Sequence, residues 1–174
     1  MSLFKRLFGQ SEPDPKLKLV PLYNQTVAKA REPHWYELGQ VPDTLDGRFD
    51  MVSAILTLVL LRLEETTAHG QDMAYLIEVF VDDMDGQLRE SGVGDVIVGK
   101  YMGKMMSALG GRLGAFRTGL VQPEALDEAI TRNIYRSDTV DPAALAHVRQ
   151  KLLDLDRSLA AQLPDMIVEG AAKW

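Results

Sequence analysis

Two segments of this chain gather side chains able to do chemistry: Asp43-Thr-Leu-Asp-Gly-Arg-Phe-Asp50 and Phe80-Val-Asp-Asp-Met-Asp-Gly-Gln-Leu-Arg-Glu-Ser-Gly-Val-Gly-Asp95. Both are dense in Asp, Arg and Gly, and both lie against long apolar runs. Carboxylates at that density can bind calcium, share a transition metal or move protons. A calcium loop needs an acidic ligand at position one and a bidentate Glu at position twelve. Setting Gly86 at position six puts Val81 first and Gly92 last; setting Gly47 there puts Pro42 first and Ser53 last. Neither segment fits.

Other chemistries fare no better. The histidines are His34, His69 and His147, far apart in sequence. Glu65 and His69 have a spacing that can chelate from one helix face, but a di-metal bundle needs Glu-x-x-His pairs on two helices and further Glu residues. The chain has no cysteine, which removes thiolate ligands, thiol nucleophiles and disulfides. It has no Gly-x-Ser-x-Gly elbow and no phosphate-cradling glycine loop. Acid–base work by Asp82, Asp83 or Asp85 stays open beside the plainer reading of a solvated helix face. The two clusters are better explained as the shaped surface of a helical binding protein, with no catalytic residue, no metal and no cofactor expected.

The elements that must position these residues are helices. The length of 174 residues suits one domain with a substantial core. A net charge of −6 argues against nucleic acid as a partner. The first helix is expected from Pro21, with Leu22, Tyr23, Val27 and Ala30 at helical spacing, and Pro33 beyond it. A polar loop over 37–47 leads to a second helix, about 49–68, apolar almost all round and therefore central. Asp72 is expected to cap a third helix, about 73–90. Asp95 is expected to cap a fourth, to about Leu120, with Val98, Met102, Met105, Leu109, Leu113, Phe116 and Leu120 facing inward. Its glycines predict a kink near Gly110-Gly111, and the pairs Gly99/Gly103 and Gly110/Gly114 invite another helix to approach closely. Pro123 opens a fifth helix, about 123–136. Asp141-Pro142 opens a sixth, about 142–162, which Pro164 ends. The fold class is all-α, a single-domain bundle of about six helices.

The domains expected are an amphipathic N-terminal segment and linker over 1–16 and a helical domain over 17–174. Leu3, Phe4, Leu7 and Phe8 share one helical face with Lys5 and Arg6 beside it, a pattern suited to weak peripheral membrane contact; a disordered tail is the alternative. No secretory signal is expected there. The longest apolar run, Met51 to Leu61, is too short for a span of about 20 residues. Met106, beside Tyr101, Met102 and Met105, is the methionine expected to be exposed, where its soft side chain suits varied apolar partners.

Read in order, the segments Pro42-Asp-Thr-Leu-Asp-Gly-Arg-Phe-Asp50, Phe80 with Asp83-Met-Asp85, Leu88-Arg-Glu-Ser-Gly-Val-Gly-Asp95, Gly111-Arg112 and Arg132-Asn-Ile-Tyr135 form a pattern. It resembles the ubiquinol–cytochrome c reductase chaperone family, bacterial type, over roughly residues 20–140. Ala30-Arg31 and Trp35-Tyr36 also look like the family's opening. The resemblance implies an all-helical assembly factor for the cytochrome bc1 complex, without a cofactor, whose client is cytochrome b or another bc1 subunit. Mitochondrial members associate with a small partner protein, and one is possible here. It also implies a cytoplasmic protein peripheral to the inner membrane. Ile55 departs from the pattern, since the family often has a His in these turns. The partner-binding surface expected on this basis lies on the third and fourth helices around Met106, with Asp43, Arg48, Asp83, Asp85, Arg89, Glu90 and Asp95 as a charged rim. The structural alternative is that Arg48 and Arg89 pair with Asp46, Asp50, Asp85 or Asp95 and fix the loops. Asn133 and Tyr135 are expected to hold the fifth helix's turn. The rival function is a general helical interaction adaptor with no respiratory client.

Overall fold

The run after Thr44 is longer than a typical strand and from Phe49 onward has no polar stripe to give to solvent, so it reads as a buried helix. A computed structural model of the chain, which describes residues 14–137 and 139–174, places this run as the central helix α3 (Leu45–Glu64). Fourteen of its twenty residues are buried, so it is covered on all sides. The Thr44 hydroxyl accepts the Gly47 N–H at 3.1 Å and starts the helix four residues before the expected Phe49. Gly47 is required there, because a Cβ would stand 2.0 Å from the Pro42 carbonyl oxygen. The helix ends at Glu64, short of the expected Ala68.

Three helices of the chain's first half are arranged around α3. Helix α1 (Val20–Ala30) follows a tight 3-10 turn, Pro15–Leu19, and one short helix, α2 (His34–Glu37), seats the fully buried Trp35. The Trp35 indole donates to the Lys29 carbonyl at 2.8 Å, so its polar atom is satisfied inside the core. Helix α4 (Gly70–Glu90) turns Leu76, Val79, Phe80, Met84 and Leu88 inward, as its periodicity predicts. Asp72 does not cap it. It lies within the first turn and pairs with Lys18 and His69.

Helix α5 (Asp95–Gly119) corrects the expected kink: it runs unbroken through Gly110-Gly111. The inward residues Val98, Leu109, Arg112 and Phe116 hold one face to the bundle, and this packing outweighs the weak helix propensity of glycine. Among the described residues the expected close approach at Gly99/Gly103 and Gly110/Gly114 is also absent, since a Cβ at any of these four positions would meet nothing within 4 Å. The close approach occurs instead at Gly119, where a Cβ would be 2.7 Å from the Leu126 Cα.

Helix α6 (Pro123–Ile130) is followed by a π turn, Thr131–Tyr135, which ends at Arg136 in the left-handed region (φ 50°). Asp141 accepts from the N–H groups of Ala143 and Ala144, both at 2.9 Å, and opens α7 (Pro142–Ala160) as expected. Pro164 does more than end that helix, because it begins the short α8 (Pro164–Val168). The architecture is the all-α bundle read from sequence. Among the described residues there are eight α-helices where about six were expected, and no strand. The N-terminal residues Leu3, Phe4, Lys5, Arg6, Leu7 and Phe8 lie outside the described residues.

Candidate functional site

The hairpin of α4 and α5 carries most of the residues singled out above. Arg89 Nε donates to Asp85 Oδ2 at 2.6 Å, and its Nη1 pairs with Asp95 across the Ser91–Gly94 turn. One guanidinium thus ties the end of α4 to the start of α5. Hydrogen bonds to these two carboxylates hold the Arg89 pKa above its ordinary range. Asp43 and Arg48 pair with each other at 2.6 Å beside the start of α3. Glu90 is exposed. Asp83 sits apart from this rim. It accepts from the Tyr23 hydroxyl at 2.6 Å and from Gln87 Nε2 at 2.9 Å, half-buried, and so links α4 to α1. Burial, then the bond to Asp83, push the Tyr23 pKa up.

The outward face of α5 is unusual in its composition. Among the described residues, Gly99, Gly103, Gly110, Gly111 and Gly114 have nothing within 4 Å of where a Cβ would stand. At about 100° per residue, Val96, Gly99, Gly103, Ser107, Gly110 and Gly114 form one smooth ridge. Val96 is 78% exposed and Ile97 59%, both at the hairpin tip. Met106, flanking the ridge, is 37% exposed, as its position outside the inward stripe predicts. Lys100 and Lys104 stand on the other flank. The face is therefore shallow, nearly free of side chains and apolar at one end. It suits close contact with another helix and has no group placed for bond making or breaking.

On the opposite side of α5, the structure makes an ion pair that the sequence reading did not assign. Arg112, only 1% exposed, donates through Nη2 to Asp50 Oδ1 at 3.0 Å and to the Asn133 carbonyl at 2.5 Å. Arg136 reaches the same carboxylate, with Nη2 2.8 Å from Oδ1 and Nε 2.7 Å from Oδ2. Arg48, for which Asp50 was one of the partners considered, pairs with Asp43 instead. Burial pulls the Arg112 guanidinium below its ordinary range, whereas the bond to Asp50 raises that of the half-exposed Arg136. A signal for Arg112 existed. It stands three residues after Leu109 and four before Phe116, on the inward stripe of α5. A charge at a core position needs a partner of opposite sign, and Asp50 lies on the helix buried on all sides.

The histidines distribute as follows. His34 and His147, though far apart in sequence, meet with Nδ1 3.1 Å from Nε2, and His34 Nε2 lies 3.0 Å from Glu32. Glu65 and His69, whose spacing alone would allow chelation, are engaged elsewhere, Glu65 with Arg62 and His69 with Asp72. Among the described residues no group of three or more His, Cys, Asp or Glu is placed to hold a metal ion. The Tyr135 hydroxyl donates to the Gly39 carbonyl and Asn133 Nδ2 donates to the Ala129 carbonyl, so both residues hold the π turn, as expected. No helix among the described residues is long and apolar enough to cross a membrane.

Comparison with known proteins agrees with this architecture. The family model described as ubiquinol-cytochrome C chaperone matches residues 37–174. The crystal structure of the Cbp3 homolog from Brucella abortus is similar, with a TM-score of 0.80 and 30% sequence identity, over 99% of this chain and 96% of that one. No curated protein matches.

Proposed function

We propose that this chain, which belongs to the ubiquinol-cytochrome C chaperone family, holds cytochrome b against the outward face of α5 while the bc1 complex is assembled. Membership makes it a chaperone with a role in bc1 assembly, and not an enzyme.

The observation that carries it is the open glycine ridge. A membrane-protein client presents apolar helices, and small residues let helix backbones approach closely, as Gly-x-x-x-Gly faces do inside membranes. Gly99/Gly103 and Gly110/Gly114 give two such pairs on one solvent-facing surface. Val96, Ile97 and Met106 supply exposed apolar contacts at the tip and along one flank. Arg48, Asp85, Arg89, Glu90, Asp95 and Asp43 surround the helices with polar groups, which favours selective and reversible contact. Asp83, engaged with Tyr23, serves the fold in this scheme and not the rim.

The protein works on the cytoplasmic side, peripheral to the inner membrane, with Leu3, Phe4, Lys5, Arg6, Leu7 and Phe8 as its membrane contact and a small partner protein as a further possible associate. A photoreactive amino acid at position 106 in living cells tests the reading. Crosslinks to cytochrome b are expected. Crosslinks only to soluble proteins would refute it and favour an adaptor without a respiratory client.

A further inference from the structure

The buried ion pair lies at the floor of a cavity of about 230 Å³ between α3, α5 and the π turn. Phe49, Asp50, Ser53 and Arg112 are its buried lining. Tyr101, Met105 and Ala108 are its half-exposed wall, and Asp46, Lys104 and Arg136 are its rim. Its charges do not balance: three cations, Lys104, Arg112 and Arg136, face two carboxylates, Asp46 and Asp50. The excess is concentrated around Asp50, whose one carboxylate is shared by Arg112 at the floor and Arg136 at the rim. Among the described residues, Arg112 Nε and Asp50 Oδ2 are both buried with no partner in hydrogen-bond geometry, although an unpaired polar atom of a charged group is costly inside a protein. The chain as a whole carries −6, so a local cationic excess in a recess is out of keeping with its surroundings.

The backbone around the recess is also irregular. The π turn at Thr131–Tyr135 frees the Asn133 carbonyl to receive Arg112, and Arg136 adopts a left-handed conformation from which its guanidinium reaches Asp50. Such strain persists where the surroundings impose it and gathers at ligand sites.

We propose that this recess binds a phosphate group, either free inorganic phosphate or the headgroup of a glycerophospholipid. Guanidinium forks and a lysine suit phosphate oxygens. Lys104 Nζ, the Tyr101 hydroxyl and the N–H groups of Arg136 not taken up by Asp50 are the donors left for a ligand in the recess. The volume holds a phosphate and a few carbons, since one water occupies about 30 Å³ of liquid. Phe49, Met105 and Ala108 then give the start of an acyl-glycerol body an apolar wall. The site does not rest on the client reading: apart from Lys104, which flanks both, its α5 lining lies on the side of that helix away from the glycine ridge.

The test is calorimetric titration of the full chain with inorganic phosphate and, separately, with dihexanoyl phosphatidic acid below its micelle concentration. Lys104→Glu, at an exposed rim position, is expected to weaken binding about tenfold or more, the factor for one charge-assisted hydrogen bond. Lys100→Glu, exposed on the same helix but outside the recess, should leave binding unchanged. Tighter binding of the lipid identifies a headgroup site, and equal binding identifies a phosphate site. Binding of neither probe to folded protein overturns the proposal, as does equal weakening by both substitutions.

Discussion

Replacing Gly103 and Gly110 together by alanine separates the stability of α5 from its use. Both positions are exposed in the interior of a helix, and an added Cβ meets nothing within 4 Å. Glycine there costs about 1 kcal/mol relative to alanine, so each substitution should stabilise by about that amount. The two sites are seven residues apart, about 10 Å along the axis, and should add to about 2 kcal/mol. In a domain of this size that raises Tm by about 4–8 °C. Gly119→Ala is the contrasting case. Its Cβ would stand 2.7 Å from the Leu126 backbone, and overpacking should lower stability by about 1–3 kcal/mol. Thermal unfolding of the three proteins measures the first effect. The level of assembled bc1 complex in a deletion strain carrying each gene measures the second, and the Gly103/Gly110 variant should fail there, because its methyl groups hold a client helix off. An unchanged or lowered Tm would show that the face is not open. A raised Tm with normal assembly would remove α5 as the docking surface.

Three further outcomes follow from other parts of the molecule. Asp50→Asn leaves two guanidinium groups without their counter-ion and should cost about 3–5 kcal/mol in urea unfolding, whereas Asp50→Leu combined with Arg112→Met should recover much of that loss. Burial, then the neighbouring His34 and Lys151, hold the His147 pKa below its ordinary 6.5. The unfolded chain therefore takes up the proton first. The contribution of this neutral histidine is complete above pH 6.5 and declines as pH falls below it, and the decline should be smaller in His147→Gln when Tm is followed against pH. Phe4→Asp with Phe8→Asp should move the protein from membrane to soluble fractions on cell fractionation, and unchanged partitioning would exclude an anchor at that segment.

What could be read from the sequence depended on range. Local signals carried well: Asp141-Pro142 opened α7 where expected, and the stripes of α4 and α5 faced the core as their spacing requires. The start of α3 was misplaced because the Thr44 cap stands among stronger-looking acidic residues. The kink in α5 was an inference from propensity, and packing along Leu109, Arg112 and Phe116 overrode it. Long-range pairs were out of reach for the opposite reason. Asp50 and Arg112 are 62 residues apart, and Tyr23 and Asp83 are 60 apart, so no periodicity relates them. The apolar side of the candidate surface was legible through Met106. The openness of the glycine face was not, because the same spacing serves equally well for a buried helix contact.

The corner joining α4 to α5 is secured by Arg89 between two exposed carboxylates, with glycines on either side of Val93 in the connecting turn. Apolar packing carries no charge for dissolved ions to screen, and excluded salts strengthen it, but exposed charge pairs weaken once the screening length shrinks, from about 8 Å at physiological ionic strength to about 3 Å in molar salt. Salt should therefore act on this corner before it acts on the rest of the bundle. The tip that bears Val96 and Ile97 would loosen while α3 and its neighbours hold, and ionic strength becomes a means of adjusting one end of the molecule without unfolding it.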